Sequence, residues 1–288
     1  MKNNIRDTNN KELQEIIANT ILLPDISNLD CLHEPITASF GLLLLYAQLY
    51  HYSENKERLF SKIVDIINAI RPLASLYAQN RNIGLFGGLC DFGISLLAIN
   101  KETGTYHRLI DSVNTVVASE AADNSLLLEN KIDSKSISMR DYDSILGLSG
   151  ILRYLLLTDS ELYRESIQKV VDALIYLSQY STDKQEAVPN WHIQKDNVFP
   201  YEERESYRSG MINFGLSHGI AGPLAVLSVA KLQGINRPGL AEAIGRLIEF
   251  FLCFVQEQPD GEVYWPSAIT GEEYLKPCLL YTSPSPRD

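Results

Sequence analysis

Cysteine is scarce in this chain, with four in 288 residues and no Cys-x-x-Cys pair. That spacing excludes a zinc knuckle built from paired thiols. Cys31, Cys90 and Cys253 read instead as small buried hydrophobes. Long apolar runs are also lacking, and the longest, such as residues 40–46, is too short to span a bilayer. The opening residues Met1-Lys2-Asn3-Asn4-Ile5-Arg6-Asp7 have no apolar core, so no signal peptide is read there. Basic charge is in deficit: 25 Lys and Arg stand against 36 Asp and Glu, giving a net charge of −11 and a pI of about 5.0. That balance argues against nucleic acid or an anionic membrane as a direct partner. With no secretion signal and few cysteines, the expected compartment is the cytoplasm.

What is present is an ordinary globular composition, 45% hydrophobic and 21% charged, with enough apolar material for a sizeable core. Helical periodicity dominates. Residues 13–23 and 59–76 carry apolar side chains at helical spacing, with Pro72 expected to break or kink the second. Residues 106–118, 161–180 and 240–257 also read as amphipathic helices. Residues 120–142 read as a polar loop with at most a short helix or strand. The stretch 181–212 is too long for an ordinary connection and reads as an excursion, with Trp191-His192-Ile193 as a candidate short strand.

A weak internal repeat lies between the helices. Gly84-Leu85-Phe86-Gly87-Gly88-Leu89, Gly147-Leu148-Ser149-Gly150 and Gly219-Ile220-Ala221-Gly222 each run into a strongly apolar segment, and Ala38-Ser39-Phe40-Gly41 reads as a worn fourth copy. The copies recur at roughly 50 to 70 residues, a helix-pair period with insertions. Apolar helices belong inside and amphipathic ones outside. The expected fold is therefore all-α, an α/α toroid with inner and outer helix rings and its glycine turns at one end. His218 stands in the third turn, within Phe214-Gly215-Leu216-Ser217-His218-Gly219-Ile220-Ala221-Gly222-Pro223-Leu224, just ahead of an apolar helix. Imidazole there is placed to give or take a proton where a reacting anion could be stabilised.

Taken together, these blocks resemble the lanthionine synthetase C-like cyclases. The resemblance rests on Gly84-Leu85-Phe86-Gly87-Gly88-Leu89, on Tyr142-Asp143-Ser144-Ile145-Leu146-Gly147-Leu148-Ser149-Gly150, and on Asn213-Phe214-Gly215-Leu216-Ser217-His218-Gly219. Trp191, in the polar stretch before the third block, also fits. The stand-alone cyclases of class I lanthipeptide biosynthesis look most similar. The family resemblance implies an α/α toroid and a central Zn2+. It implies addition of peptide cysteine thiols to dehydroalanine or dehydrobutyrine, forming thioether rings. A free thiol, with a pKa of about 8.5, is mostly protonated at neutral pH, and zinc removes that proton. The enolate formed must then be protonated at carbon, which calls for a positioned acid.

By the same resemblance, His218 is the expected acid/base, and Asp143 orients or tunes it or the substrate. Asp143 also suits a helix cap, and Asp141 is a weaker candidate. The family's zinc ligands, from Trp-Cys-Tyr-Gly and Cys-His-Gly motifs, have no counterpart here, so no residue is assigned to the metal. His33, His51, His107 and His192 have no ligand spacing and read as surface or packing residues. Expected partners are a dehydrated precursor peptide, a lanthipeptide dehydratase and a transporter. Attachment to the membrane would be through these partners.

Residues 278–288 look like the translation of a transposase-end sequencing adapter, which leaves 1–277 as a partial cyclase domain with its excursion at about 181–212. Such a chain is expected to be inactive and poorly soluble, with the zinc dependence belonging to the full-length protein. Two alternatives stay open: a non-catalytic peptide-binding or scaffold protein, and a carbohydrate-active toroid using paired carboxylates such as Asp91 and Asp143.

Overall fold

The computed structural model describes residues 37–158, 161–181 and 188–275. The sequence expectations for 13–23, His33, Cys31 and 278–288 lie outside those residues. The chain divides into two compact units: Met1–Asn82 with Phe86–Thr115, and Ile83–Leu85 with Val116–Asp288.

Three helices build the first unit: α1 (Thr37–Tyr52), α2 (Lys56–Gln79) and α3 (Leu89–Thr103). α2 buries Leu59, Ile63, Ile66, Ile67, Ile70 and Ala74, one stripe at a spacing of three and four residues. α1 and α3 meet through Phe40 and Phe92, whose ring centroids are 5.6 Å apart, and Ser95 Oγ donates to the Phe40 carbonyl at 2.9 Å. Two expectations fail here. Pro72 does not break α2: it stands at an exposed position inside the helix, which continues to Gln79. Gly41 is not a turn glycine but lies inside α1, with open space around it.

α4 (His107–Asp133) begins in the first unit and ends in the second. It corrects the loop expected at 120–142. Ala121, Ser125, Leu128 and Ile132 are buried and follow an i, i+4, i+7, i+11 stripe, which holds the segment helical despite its polar outer face. The one-turn helix α5 (Met139–Tyr142) completes that stretch.

The rest of the second unit alternates apolar and amphipathic helices. α6 (Leu148–Leu155) and α8 (Ala221–Leu232) pack on each other, with α7 (Arg164–Leu177) against α6 and α9 (Leu240–Cys253) against α8. α7 buries Ile167, Val170, Val171 and Leu174, each worth about 1.5–3 kcal/mol of transfer free energy. Arg237 forms an ion pair with Asp172, and Arg246 donates to the Ser178 carbonyl at 3.2 Å and hydroxyl at 2.8 Å. The excursion at 181–212 contains two 3-10 turns, Lys195–Asn197 and Tyr201–Glu205, before β1 (Met211–Asn213). Trp191-His192-Ile193 forms only an isolated bridge, Ile193 to Met211, rather than a strand. Two small antiparallel pairs complete the unit: β1 with β4 (Ala268–Thr270), and β2 (Gln256–Glu257) with β3 (Val263–Tyr264). The short α10 (Gly271–Leu275) follows β4. Trp191 is fully buried, 5.1 Å from the Phe250 ring, and Phe250 stacks on Phe214 at 4.9 Å.

Glycine contacts separate turns from helix interiors. A Cβ at Gly150 would stand 2.4 Å from the Ser144 carbonyl oxygen and 2.8 Å from Leu85 Cβ, whereas one at Gly245 in α9 would meet nothing within 4 Å. Gly150→Ala should therefore destabilise the protein by about 3 kcal/mol, and Gly245→Ala should stabilise it by about 0.5–1 kcal/mol. Chemical denaturation midpoints check both signs.

Candidate functional site

Within the second unit, Leu85 and two glycine-bordered turns come together. The Leu85 amide donates to the Ile145 carbonyl at 2.8 Å, and the Ser144 amide donates to the Ser217 carbonyl at 2.9 Å. The segments that carry Leu85, Asp143 and His218 are thus laced edge to edge by backbone hydrogen bonds.

The middle turn is built around Asp143. α5 starts with a capping box: the Ser138 amide and hydroxyl both donate to Asp141 Oδ2, at 2.7 and 2.9 Å, and Lys131 Nζ reaches Asp141 Oδ1 at 2.5 Å. Asp141 is thereby committed to local structure. The chain then leaves α5 at Asp143 in extended conformation. Asp143 Oδ1 accepts from three successive amides, Ile145 at 3.0 Å, Leu146 at 2.7 Å and Gly147 at 2.8 Å. Gly147 is required there, because a Cβ would lie 2.3 Å from the Asp143 nitrogen. The Asp143 side chain is 0% exposed, so its carboxylate depends on these donors in place of water.

His218 comes from the third turn, 75 residues later, and its Nδ1 lies 2.7 Å from Asp143 Oδ2. Asp143 already spends Oδ1 on the three amides, so Oδ2 accepts from Nδ1–H and leaves Nε2 as the accessible nitrogen. The imidazole is 50% exposed. Its turn is internally rigid: Asn213 Oδ1 accepts from the Gly215 amide at 2.8 Å, and the Asn213 carbonyl accepts from the Ile220 amide at 2.9 Å. A Cβ at Gly219 would lie 2.4 Å from both Asn213 Oδ1 and the Gly215 nitrogen. Sequence reasoning passed over Asn213, although Asn-x-Gly is a recognisable side-chain-to-backbone turn signal. The pair anticipated from the sequence, His218 and Asp143, is brought together, and Asp143 caps its turn as well.

Other candidates stand apart from this pair. Asp91 Oδ2 accepts from the Gly87 amide at 3.0 Å in the first unit, and burial raises its carboxyl above the ordinary value. His51 pairs with Glu102 at 2.8 Å, His107 opens α4, and His192 is buried with Nε2 2.9 Å from the Ser209 carbonyl oxygen. Among the described residues no group of three His, Cys, Asp or Glu is arranged to hold a metal. Cys90 is buried, and burial pushes its thiol well above the ordinary range. Cys253 is exposed, which corrects its reading as a buried hydrophobe. The residues described therefore do not fit a zinc ion.

Three outcomes follow. Asp143→Ala leaves three amides without their acceptor and should cost about 3 kcal/mol. Asp143→Asn keeps an oxygen for those amides but presents an NH2 group to His218. It should retain most stability while moving the imidazole proton from Nδ1 to Nε2, read by histidine 15N NMR. Iodoacetamide should label Cys253 in the folded protein and Cys90 only after denaturation, as resolved by peptide mass spectrometry.

Comparisons with known proteins bear on the family and the fold. The model of the lanthionine synthetase C-like protein family matches residues 36–277. The nisin biosynthesis protein NisC of Lactococcus lactis subsp. lactis is 27% identical over 251 residues, covering 86% of this chain and 57% of that protein. A solved nisin cyclase superposes with a TM-score of 0.70 at 27% identity, covering 82% of this chain and 56% of the other. The chain thus spans a little over half the length of these relatives, and its fold class is the all-α toroid expected from the repeat. Since the family match takes in nearly all of the described residues, this chain belongs to the lanthionine synthetase C-like family.

Proposed function

We propose that the protein serves lanthionine ring formation, with His218 as acid/base and Asp143 as the group that orients it. The observation that carries this reading is the 2.7 Å contact between His218 Nδ1 and the buried Asp143 carboxylate. In the reaction a peptide thiolate adds to Cβ of dehydroalanine or dehydrobutyrine. The C=C pair moves to Cα as an enolate, and Cα takes a proton. One S–H and one C=C bond become one C–S and one C–H bond. His218 Nε2, unprotonated in the neutral ring, takes up the proton that the substrate thiol gives up and delivers it to Cα, while Asp143 keeps Nδ1–H fixed and steadies the imidazolium formed in between.

Zinc belongs to the reading of the full-length cyclase and does not fit the residues described here, so no step is routed through it. The described residues carry proton transfer and lack a thiol-activating group. On this proposal the 288-residue chain alone leaves dehydrated peptides uncyclised. A peptide-binding role without chemistry is the second reading, favoured by the same lack of a metal set. The proposed substrate is a dehydrated precursor peptide, and the proposed associates are a dehydratase and a transporter. No described helix is long and apolar enough to cross a membrane. Proposed work in the cytoplasm, or at its membrane face, therefore relies on those associates.

The test is made in a form extended to the length of the cyclase relatives. Ring closure leaves mass unchanged, so free thiols are counted by alkylation and mass spectrometry. His218→Ala should slow closure by about 10²–10⁴-fold, the range for loss of a positioned acid. Unchanged closure in that variant would overturn the assignment.

A further inference from the structure

We propose that Ser144 is a positioning residue, a latch that sets the His218 turn in register with Asp143. The proposal rests on the reading of His218 as the acid/base. Asp143 is fixed within its own turn by three amides, and the His218 turn is shaped by Asn213. Neither network sets one turn against the other. Two hydrogen bonds from Ser144 do: its amide donates to the Ser217 carbonyl at 2.9 Å, and its hydroxyl donates to the Leu216 carbonyl at 2.8 Å. Both acceptors belong to the residues immediately before His218.

The hydroxyl's bond crosses 72 positions of sequence. Serine hydroxyls commonly bond within their own turn, and this one instead joins two turns. The opposite wall is also matched to it. A Cβ at Gly222, in the first turn of α8, would lie 2.5 Å from Ser144 Oγ and 3.0 Å from the Leu216 carbonyl oxygen. Gly222 therefore leaves the space the hydroxyl occupies, and a hydroxyl at 144 with a bare Cα at 222 forms one device. Its purpose follows from tolerance. A working side chain must be held within about 0.5 Å of its productive position, and a single imidazole–carboxylate contact on a half-exposed ring does not supply that by itself.

Two variants probe the latch from opposite sides: Ser144→Ala removes the donor, and Gly222→Ala crowds it. Ser228→Ala is the control, since Ser228 Oγ bonds only the Leu224 carbonyl within α8. The readout is the His218 tautomer in the full 288-residue chain, followed by histidine 15N NMR, which needs neither substrate nor metal. The parent and Ser228→Ala should hold the proton on Nδ1. Ser144→Ala and Gly222→Ala should give mixed tautomers with an otherwise folded spectrum. If either latch variant folds and keeps the parent tautomer, the proposal is overturned.

In the cyclase-length form, Ser144→Ala should lower kcat roughly tenfold with KM unchanged, the pattern of a lost transition-state alignment. A mixed tautomer with unchanged kcat would keep the latch and overturn the acid/base reading. An unchanged tautomer with His218→Ala inactive would overturn the latch and keep that reading.

Discussion

The carboxylate of Asp143 is the constraint on which the second unit's loops depend. A buried charge without partners costs several kcal/mol, and this one is 0% exposed. It is tolerable because three amides of its own turn converge on Oδ1. That convergence dictates the local sequence. Gly147 must lack a side chain to let the turn close, and Gly150 must lack one to let Leu85 and the Ser144 carbonyl approach. The histidine is then an addition to an anion already satisfied by backbone. Its loss leaves the carboxylate with its main donors, which separates its proposed chemical duty from the stability of the turn.

Much of this was legible in the sequence, for identifiable reasons. The stripe on α2 and the buried run on α7 follow strict helical spacing, and packing has no cause to override it. The helix within 120–142 is hard to read from sequence because its buried stripe of Ala121, Ser125, Leu128 and Ile132 includes a serine, while Leu126 and Leu127 are exposed and blur the apolar spacing. Ser125 survives there by donating to the Ala121 carbonyl at 2.8 Å. Pro72 predicts a break or a kink, because a proline removes a donor and crowds the preceding turn, yet α2 runs through it to Gln79, held by its buried stripe from Leu59 to Ala74.

The His218–Asp143 pair was legible through the glycine blocks around it, but its support was not. Ser144 and Leu216 are joined by a side-chain-to-carbonyl bond across 72 positions, and nothing in either residue's neighbours marks it. A glycine in a helical protein can serve a special turn or merely sit in a helix. Contact distances distinguish them site by site: Gly41 and Gly245 face open space, while Gly147, Gly150 and Gly219 are walled in by backbone.

Thioether formation asks for two things, a thiolate and a proton for the carbon that becomes Cα. On the proposed reading, the described residues prepare only the second. Cys90 is buried with its thiol pushed further from ionisation, and no cluster of ligating side chains stands ready to lower that of a substrate. The groups proposed to handle the proton, by contrast, stand together: the buried carboxylate, the three amides, the imidazole and Ser144 all lie within the second unit. Burial falls from 0% exposure at Asp143 to 50% at His218. The anion's field is therefore carried from a dry interior to a nitrogen that a peptide can reach. A carboxylate placed directly at the surface would be screened by water, and a histidine without it would have no fixed tautomer. On the proposed reading, the division between a buried orienting charge and an accessible donor is what lets one half of the chemistry be built independently of the other.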